Sequence, residues 1–209
     1  MFNRKLELNV PNIPSLYQLK PDDFGKALDM LSRSFKDDPL WGSISQTNKK
    51  LFRITFSMFL KYAHKYGKVY SVTNEVSDVA IWLPSKYTKK TLFRLLACNA
   101  LKEMILLIKE GRNVLKNLLE LEKDQILYMK KSCIYLNGLG VEPSKQGLGL
   151  GSRHIKKMIE HLPSNIPIYA ETESEENVMF YEKHGFVVLK TIEIPELNVK
   201  MWEMHFPGK

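Results

Sequence analysis

The sequence predicts a single α/β domain of the α+β type. Its 209 residues are enough to bury one sizeable core, and 44% of them are hydrophobic against 26% charged, as in ordinary globular proteins. Along the chain, segments with the periodicity of a strand alternate with segments that have the periodicity of a helix. No internal repeat and no linker divides them. We therefore expect one domain over residues 1–209.

The N-terminal part is predicted to contain a short strand followed by two helices. Residues 16–19 alternate weakly between apolar and polar side chains, as a strand does. Pro21 and two acidic residues then begin a helix, in which apolar side chains recur at helical spacing as far as Phe35. A second helix is predicted from residue 49 to residue 66, with Gly67 ending it.

The middle of the chain is predicted to form two strands and a helical insertion. The strands are residues 68–73 and 79–83, separated by turn residues. Residues 86–131 are almost all helix formers, and Gly111 is the only obvious break among them. We therefore predict two long helices there, inserted before the next strand.

The C-terminal part alternates more regularly between strands and helices. A glycine-rich loop follows its first strand, and the helix after that loop has a continuous apolar face. The predicted elements are a strand at 133–141, a helix ending before Pro163, a strand at 166–171, a helix at 177–184, and strands at 186–194 and 199–206.

Charge and composition limit the classes of function. The net charge of +8 favours an anionic partner, either nucleic acid, a membrane surface or a phosphorylated small molecule. The basic residues are scattered, so most of this charge is expected on a solvated surface. The opening residues lack an apolar core of the signal-peptide kind, and the most hydrophobic stretch, 92–108, carries charges that a membrane span would not tolerate.

Cysteines and histidines give no sign of a metal site. Cys98 and Cys133 are far apart and form no CxxC pair, which excludes a disulfide scaffold and favours a reducing cytoplasm. Cys133 is predicted to be a small buried thiol. The five histidines show no metal-ligand spacing, and His154 and His161 are predicted to be exposed. We expect no bound metal.

The glycine-rich loop is the most informative segment. Residues 141–152, VEPSKQGLGLGS, lead from a strand into a helix. Glycines allow the backbone to approach a ligand closely. The first N–H groups of a helix have no partner within the helix, and they lie at the positive end of its dipole. These features predict an anion site suited to a pyrophosphate.

Two other phosphate-binding loops fit this segment less well. The GxxxxGK[ST] pattern of the Walker loop is absent. A dinucleotide fold would need GxGxxG, but Ser152 occupies the third glycine position after Gly147 and Gly149. Glu171 lies where a ribose-binding acid would be expected, yet too little chain follows it for a doubly wound sheet. A dinucleotide-binding protein therefore remains a low-ranking alternative.

Two motifs together resemble the Gcn5-related N-acetyltransferase (GNAT) family. The spacing QxxGxG at 146–151, behind a strand end at 139–141, is similar to the acetyl-CoA signature of that family. The segment 177–186, NVMFYEKHGF, is similar to the helix of that family that carries an asparagine and a tyrosine and is followed by Gly-Phe. Further pieces resemble puromycin N-acetyltransferase-like members of the family: SFKDDP at 34–39, KVYSV at 68–72, AIWLP at 80–84 and KMWEM at 200–204.

The resemblance implies a mixed, mostly antiparallel sheet flanked by helices, and acetyl-CoA as co-substrate. It also implies the residues that would bind acetyl-CoA. These are Leu139, Gly140, Val141, Gln146, Gly147, Leu148, Gly149, Gly151, Ser152, Asn177 and Tyr181.

The resemblance gives Tyr181 the role of general acid towards the departing thiolate. A phenol is protonated at neutral pH and can donate to a developing anion, so the chemistry fits. A carboxylate would serve as base towards the amine, and Glu171 and Glu173 are candidates. Asp37 and Asp38 are alternative candidates that are expected to attract a cationic amine instead.

The sequence therefore predicts a cytoplasmic N-acetyltransferase that acts on the primary amine of a small molecule by direct attack. Trp41 is a candidate wall of the acceptor pocket, whereas Trp82 is predicted to lie in the core. We expect a monomer or homodimer with no nucleic-acid or membrane partner. A catalytically silent acyl-CoA-binding or regulatory module with the same fold is the main alternative.

Overall fold

Seven strands form one sheet in the computed structural model, which describes residues 8–112, 116, 132–194 and 199–209. The strands are β1 (Tyr17–Gln18), β2 (Lys68–Ser71), β3 (Asp78–Pro84), β4 (Ile134–Val141), β5 (Ile168–Thr172), β6 (Val187–Ile194) and β7 (Val199–Phe206). Their order is β1-β2-β3-β4-β5-β7-β6, and every neighbouring pair is antiparallel except β4 and β5. The mixed, mostly antiparallel sheet is confirmed.

Helices cover both faces of the sheet. They are α1 (Phe24–Ser34), α2 (Gly42–Thr47), α3 (Lys49–Tyr66), α4 (Leu92–Ala97), α5 (Leu101–Glu110), α6 (Leu150–His161) and α7 (Glu175–Glu182). Successive side chains of a strand point to opposite faces, so Val79 and Ile81 of β3 join the core beneath α1 and α3. Ala80 and Trp82 join the core beneath α6 and α7, and the core position predicted for Trp82 is confirmed.

The helix at 49–66 begins and ends for local reasons. The Asn48 side chain accepts a hydrogen bond from the backbone N–H of Leu51 at 2.9 Å, which caps the N-terminus of α3. At the C-terminus, a Cβ atom on Gly67 would lie 2.0 Å from the Trp82 carbonyl oxygen. Only glycine therefore lets the chain turn so closely against β3 and enter β2.

The helical insertion differs from its prediction. The chain leaves helix at Cys98, and Asn99 has a φ of 55°, so α4 and α5 are short helices with a break well before Gly111. Asparagine adopts this left-handed conformation at lower cost than most residues, which explains why the break occurs there. Most of the second predicted helix, up to residue 131, and the connection at 195–198 lie outside the described residues.

Two further differences concern α2 and His154. Residues 42–47 form a helix although their composition, GSISQT, has low helix propensity. His154 on α6 was predicted to be exposed, and that prediction is wrong: it is completely buried, with its Nε2 atom 2.5 Å from Oδ1 of Asp78 on β3. The Asp78 partner lies 76 residues earlier in the chain, so helical periodicity alone could not reveal the pair.

Within the described part of the chain, no helix combines the length and the apolar composition that crossing a membrane requires.

Candidate active site

The two central strands of the sheet separate towards one end. The parallel pairing of β4 and β5 stops at Leu136 and Ala170, although β4 continues to Val141 and β5 to Thr172. The backbone of the last β4 residues therefore faces a gap in place of a neighbouring strand. Unpaired N–H and C=O groups on a strand edge can bind an extended ligand as an added strand would.

A bulge in β4 accompanies this separation. On β3, Ile81 pairs with Gly138 and Trp82 pairs with Leu136, so Asn137 between them has no cross-strand partner. Bulges redirect side chains and increase local twist. The Asn137 amide lines the cavity described below, and its Nδ2 atom is buried without a hydrogen-bond partner among the described residues.

The glycine loop ends in an open helix N-terminus. Gly147 and Gly149 have φ values of 78° and 79°, the left-handed region that glycine tolerates and other residues adopt only at a cost. Gly149 is the N-cap of α6, and no side chain caps the helix. The first N–H groups of α6, from Leu150 to Ser152, have no partner within the helix and carry its positive dipole end. The anion site predicted at these residues stays a prediction, and the helix start offers the donors that it would need.

Ion pairs anchor the segment between β4 and this loop. Arg33 on α1 contacts both carboxylate oxygens of Glu142 at 2.7–3.1 Å, and its charge holds the pKa of Glu142 below the ordinary value. Lys145 pairs with Glu75 at 2.9 Å. The two contacts connect the loop to α1 and to the β2–β3 turn, which helps to fix its position.

Individual residues of the predicted acetyl-CoA set occupy different surroundings. A Cβ atom on Gly140 would lie 2.8 Å from Leu31 Cδ2 of α1, so helix packing already requires a glycine there. A Cβ atom on Gly151 would make ordinary van der Waals contact with the Phe180 ring, at 3.4 Å. The Leu148 side chain is 72% exposed. The Gln146 side chain donates a hydrogen bond to the Val141 carbonyl at 3.3 Å.

A cavity of ≈ 140 Å³ opens beside the gap between β4 and β5. It is lined by the α1–α2 connection, α3, α5, the bulged part of β4, the end of β5 and one side of α7. Among its lining residues are seven that the sequence had singled out as candidate site residues: Asp38, Trp41, Leu139, Glu171, Glu173, Asn177 and Tyr181. Asp37, predicted with them, is exposed and does not line this cavity.

Tyr181 reaches the cavity from α7, four residues after Asn177. Its side chain is buried, and burial together with the negative charge of Glu173 raises the pKa of its phenol well above 10. The hydroxyl is therefore a protonated donor at every physiological pH. Asn177 is the third residue of α7, not its N-cap; Ser174 is the N-cap.

Glu171 is held by two tyrosines. Its two carboxylate oxygens accept hydrogen bonds from Tyr135 at 3.0 Å and from Tyr169 at 2.9 Å. Both donors stabilise and orient the carboxylate, and each of them occupies one of the two lone pairs on an oxygen. Glu171 is thus better placed as a fixed negative charge than as a base.

Glu173 and Asp38 form the second acidic part of the cavity. The Glu173 side chain is half-buried and lines the cavity, so its carboxyl loses part of its contact with water. This desolvation, with the charges of Asp38 and Glu171, raises its pKa well above the ordinary value. Desolvation also raises the pKa of Asp38, whose Oδ1 accepts hydrogen bonds from the backbone N–H groups of Leu40 and Trp41 at 3.0 and 2.7 Å. Both carboxyls therefore keep a proton to a higher pH than an ordinary carboxyl does.

The sequence did not indicate several other residues that line the cavity. Phe56, Met58 and Phe59 of α3 and Met104 of α5 line the cavity, as does Lys90. The helix residues among them lie on apolar faces, and residues that face a core have the same periodicity as residues that line a cavity. The sequence pattern therefore could not separate the two groups. Cys133 is fully buried and is not among the cavity-lining residues, so the predicted small buried thiol is confirmed. Burial raises the pKa of its thiol to about 11.

The described residues were compared with the side-chain clusters that bind metal ions in proteins. Across residues 8–112, 132–194 and 199–209, histidine, cysteine and acidic side chains form no group of three that could hold a metal ion.

Comparison with known proteins supports an acetyltransferase. The family model described as "Acetyltransferase (GNAT) family" matches residues 108–186, which include both motifs. An uncharacterized N-acetyltransferase of Schizosaccharomyces pombe is 24% identical over 199 residues, covering 88% of this chain and 78% of the yeast protein.

Solved structures share the fold over almost the whole chain. A Corynebacterium glutamicum protein described as histone acetyltransferase HPA2 and related acetyltransferase superposes with a TM-score of 0.65 and 19% identity, covering 95% of this chain and 98% of its own. Arylalkylamine N-acetyltransferase 2 of Aedes aegypti gives a TM-score of 0.60 with 15% identity, covering 91% and 96%. The fold is that of the GNAT acetyltransferases, and the finer resemblance to puromycin N-acetyltransferase stays a prediction.

Proposed function

We propose that this protein transfers the acetyl group of acetyl-CoA to the primary amine of a small molecule. The observation that carries the proposal is the presence of Tyr181, Glu173 and Asp38 on one cavity, at the gap between β4 and β5. A buried phenol that stays protonated shares the cavity with carboxyls that bind a proton more tightly than an ordinary carboxyl does. Two titratable groups with such different proton affinities fit an acid and a base in one reaction.

The chain offers a consistent binding surface for acetyl-CoA. The uncapped N-terminus of α6 and the amides near Gly149 suit the pyrophosphate, and the free edge of β4 beyond Asn137 suits the extended pantetheine arm. When bound, acetyl-CoA supplies an acetyl group activated as a thioester. The basic surface, with a net charge of +8, favours such a polyanionic ligand without any nucleic acid.

The protein groups would carry the protons of the transfer. The carboxylate of Glu173 accepts one proton from the ammonium of the substrate, directly or through water, and leaves a nucleophilic amine. As the C–N bond forms and the C–S bond breaks, the Tyr181 hydroxyl gives its proton to the sulfur. The amide product keeps one N–H, so a second proton leaves the nitrogen and restores the tyrosine by way of solvent.

Acetyl-CoA is expected to raise the melting temperature of the wild-type protein by roughly 5–10 °C at a hundred times its dissociation constant. Gly149→Val should remove this shift, because valine at a φ of 79° is strained and would move the amides of the loop. Thermal unfolding with and without acetyl-CoA measures the effect.

The matched control is Gly25→Val, which places the same side chain on α1 where a Cβ atom meets nothing within 4 Å. That variant should retain the full shift. Equal shifts in Gly149→Val and wild type would contradict the assignment of the loop.

Glu173→Gln should reduce kcat/KM by roughly 10²–10⁴, the usual contribution of a positioned base. The wild-type rate should fall as the pH is lowered through the raised pKa of Glu173, because the carboxylate form is the active one. Glutamine cannot ionise, so this acid-side fall should disappear from the pH profile of the variant.

Glu176→Gln is the control, since Glu176 is an exposed acid three residues further on, in the first turn of α7. Its pH profile should match wild type. A Glu173→Gln profile that keeps the same acid-side fall would assign the base to another group.

A further inference from the structure

The cavity has a wall of aromatic rings on the side formed by α3. Trp41 contacts Phe56 and Phe59 edge-on, with ring centroids 5.1 and 6.1 Å apart, and Phe35 lies 5.4 Å from Phe56. We call these four rings the aromatic wall. Phe52 stacks behind Phe56 at 4.3 Å, so the rings support one another and the wall exists before any ligand enters.

A carboxyl group lies directly beside the aromatic wall. Asp38 is fixed by the backbone amides of Leu40 and Trp41, so its carboxyl and the Trp41 ring belong to the same tight turn. The charges of Asp38 and Glu171 both act on the Glu173 carboxyl, which lines the same cavity. An ammonium group at this position would meet negative charge on one side and apolar ring surface on the other.

A positive charge also lines the cavity. The Lys90 ammonium lies over the Phe59 ring, 5.5 Å from its centroid, and 6.0 Å from that of Tyr62. A second cation close to Lys90 would be repelled, and such repulsion is strong where the surroundings are partly desolvated. A ligand that carries a second ammonium group would bring it towards Lys90, whereas an uncharged ring or chain would not.

The geometry points to a compact apolar or aromatic monoamine as the acceptor: one ammonium group beside Asp38 and Glu173, and one ring-sized apolar body against the aromatic wall. This inference rests on the proposed function. The cavity volume of ≈ 140 Å³ agrees with it, because an apolar cavity of about 150 Å³ accepts a benzene ring. Lys90 would exclude diamines and polyamines.

The test measures kcat/KM by release of free thiol from acetyl-CoA with paired amines. 2-Phenylethylamine against ethylamine tests the ring, and hexylamine against 1,6-diaminohexane tests the second charge. We expect 2-phenylethylamine to exceed ethylamine, and hexylamine to exceed the diamine, by roughly tenfold or more in each pair.

Two variants connect these preferences to residues. Trp41→Leu should lower kcat/KM for 2-phenylethylamine by roughly tenfold and that for ethylamine much less, since leucine leaves part of the ring contact unfilled. Lys90→Gln should reduce the preference for hexylamine over 1,6-diaminohexane. Lys89→Gln removes the neighbouring exposed charge, which does not line the cavity, and should leave that preference unchanged.

The outcomes separate the two proposals. Thiol release that favours the diamine, or that is equal for 2-phenylethylamine and ethylamine, would overturn the monoamine inference while leaving the acetyltransferase in place. No thiol release with any amine, from protein whose melting temperature acetyl-CoA raises, would overturn the proposed function itself.

Discussion

Tyr181→Phe is expected to lower kcat by roughly 10²–10⁴, while the affinity for acetyl-CoA changes far less. Phenylalanine keeps the ring, which packs against Phe186 with centroids 5.2 Å apart, and removes only the hydroxyl group. Donation of a proton to sulfur stabilises the transition state, in which negative charge develops on that atom. Removing the donor is therefore expected to lower kcat and to leave the binding of acetyl-CoA largely unchanged. Steady-state kinetics and acetyl-CoA titration measure the two quantities separately.

Phe180→Leu is a suitable companion variant, because it changes the adjacent ring on the same helix without removing a proton donor. It should leave most of kcat in place. If Tyr181→Phe retains the wild-type kcat under conditions where the chemical step limits the rate, then solvent or another group supplies the proton, and Tyr181 serves only in packing.

Asp78→Ala is expected to lower the free energy of unfolding by about 3–5 kcal/mol, the usual cost of removing one partner of a buried pair. Asp78 and His154 are both completely buried, and Oδ1 of Asp78 also accepts the backbone N–H of Val72 at 2.7 Å. Alanine would leave the His154 imidazole and this amide without an acceptor in the core. Denaturant unfolding measures the loss.

Two variants calibrate this result. Asp78→Asn retains an acceptor oxygen of the same shape and should cost less than alanine. Asp29→Ala breaks the exposed ion pair with Arg53, and such pairs contribute about 0–1 kcal/mol. A loss for Asp78→Ala as small as that for Asp29→Ala would mean that the buried pair contributes nothing measurable to stability.

The glycine-rich loop and the order of strands and helices around it could be predicted because the sequence patterns that indicate them are local. Only residues close in the sequence determine these features, which are a left-handed glycine, an uncapped helix start and a tyrosine one turn after an asparagine. For the same reason the C-terminal elements were predicted close to their observed bounds. The sequence also indicated Asp38 and Trp41, which occupy the cavity together because one tight turn holds both.

The rest depends on contacts between distant parts of the chain. His154 has a polar position in the helical pattern and is buried because Asp78 on β3 meets it there. The surroundings of the carboxyls likewise depend on tertiary structure. Tyr135 and Tyr169 donate hydrogen bonds to Glu171, whereas burial and the charges of Asp38 and Glu171 raise the pKa of Glu173. Periodicity describes one face of one element and cannot show which distant group lies opposite.

The crowded carboxyls of the cavity link ligand binding to proton uptake and release. Because the pKa values of Glu173 and Asp38 are raised, the folded protein holds protons that the unfolded chain has already lost. The free energy of unfolding therefore decreases as the pH rises from the ordinary carboxyl pKa through the raised values. A bound ammonium ion favours the ionised carboxyls, so its binding expels a proton to solvent, and its affinity increases with pH across that same interval.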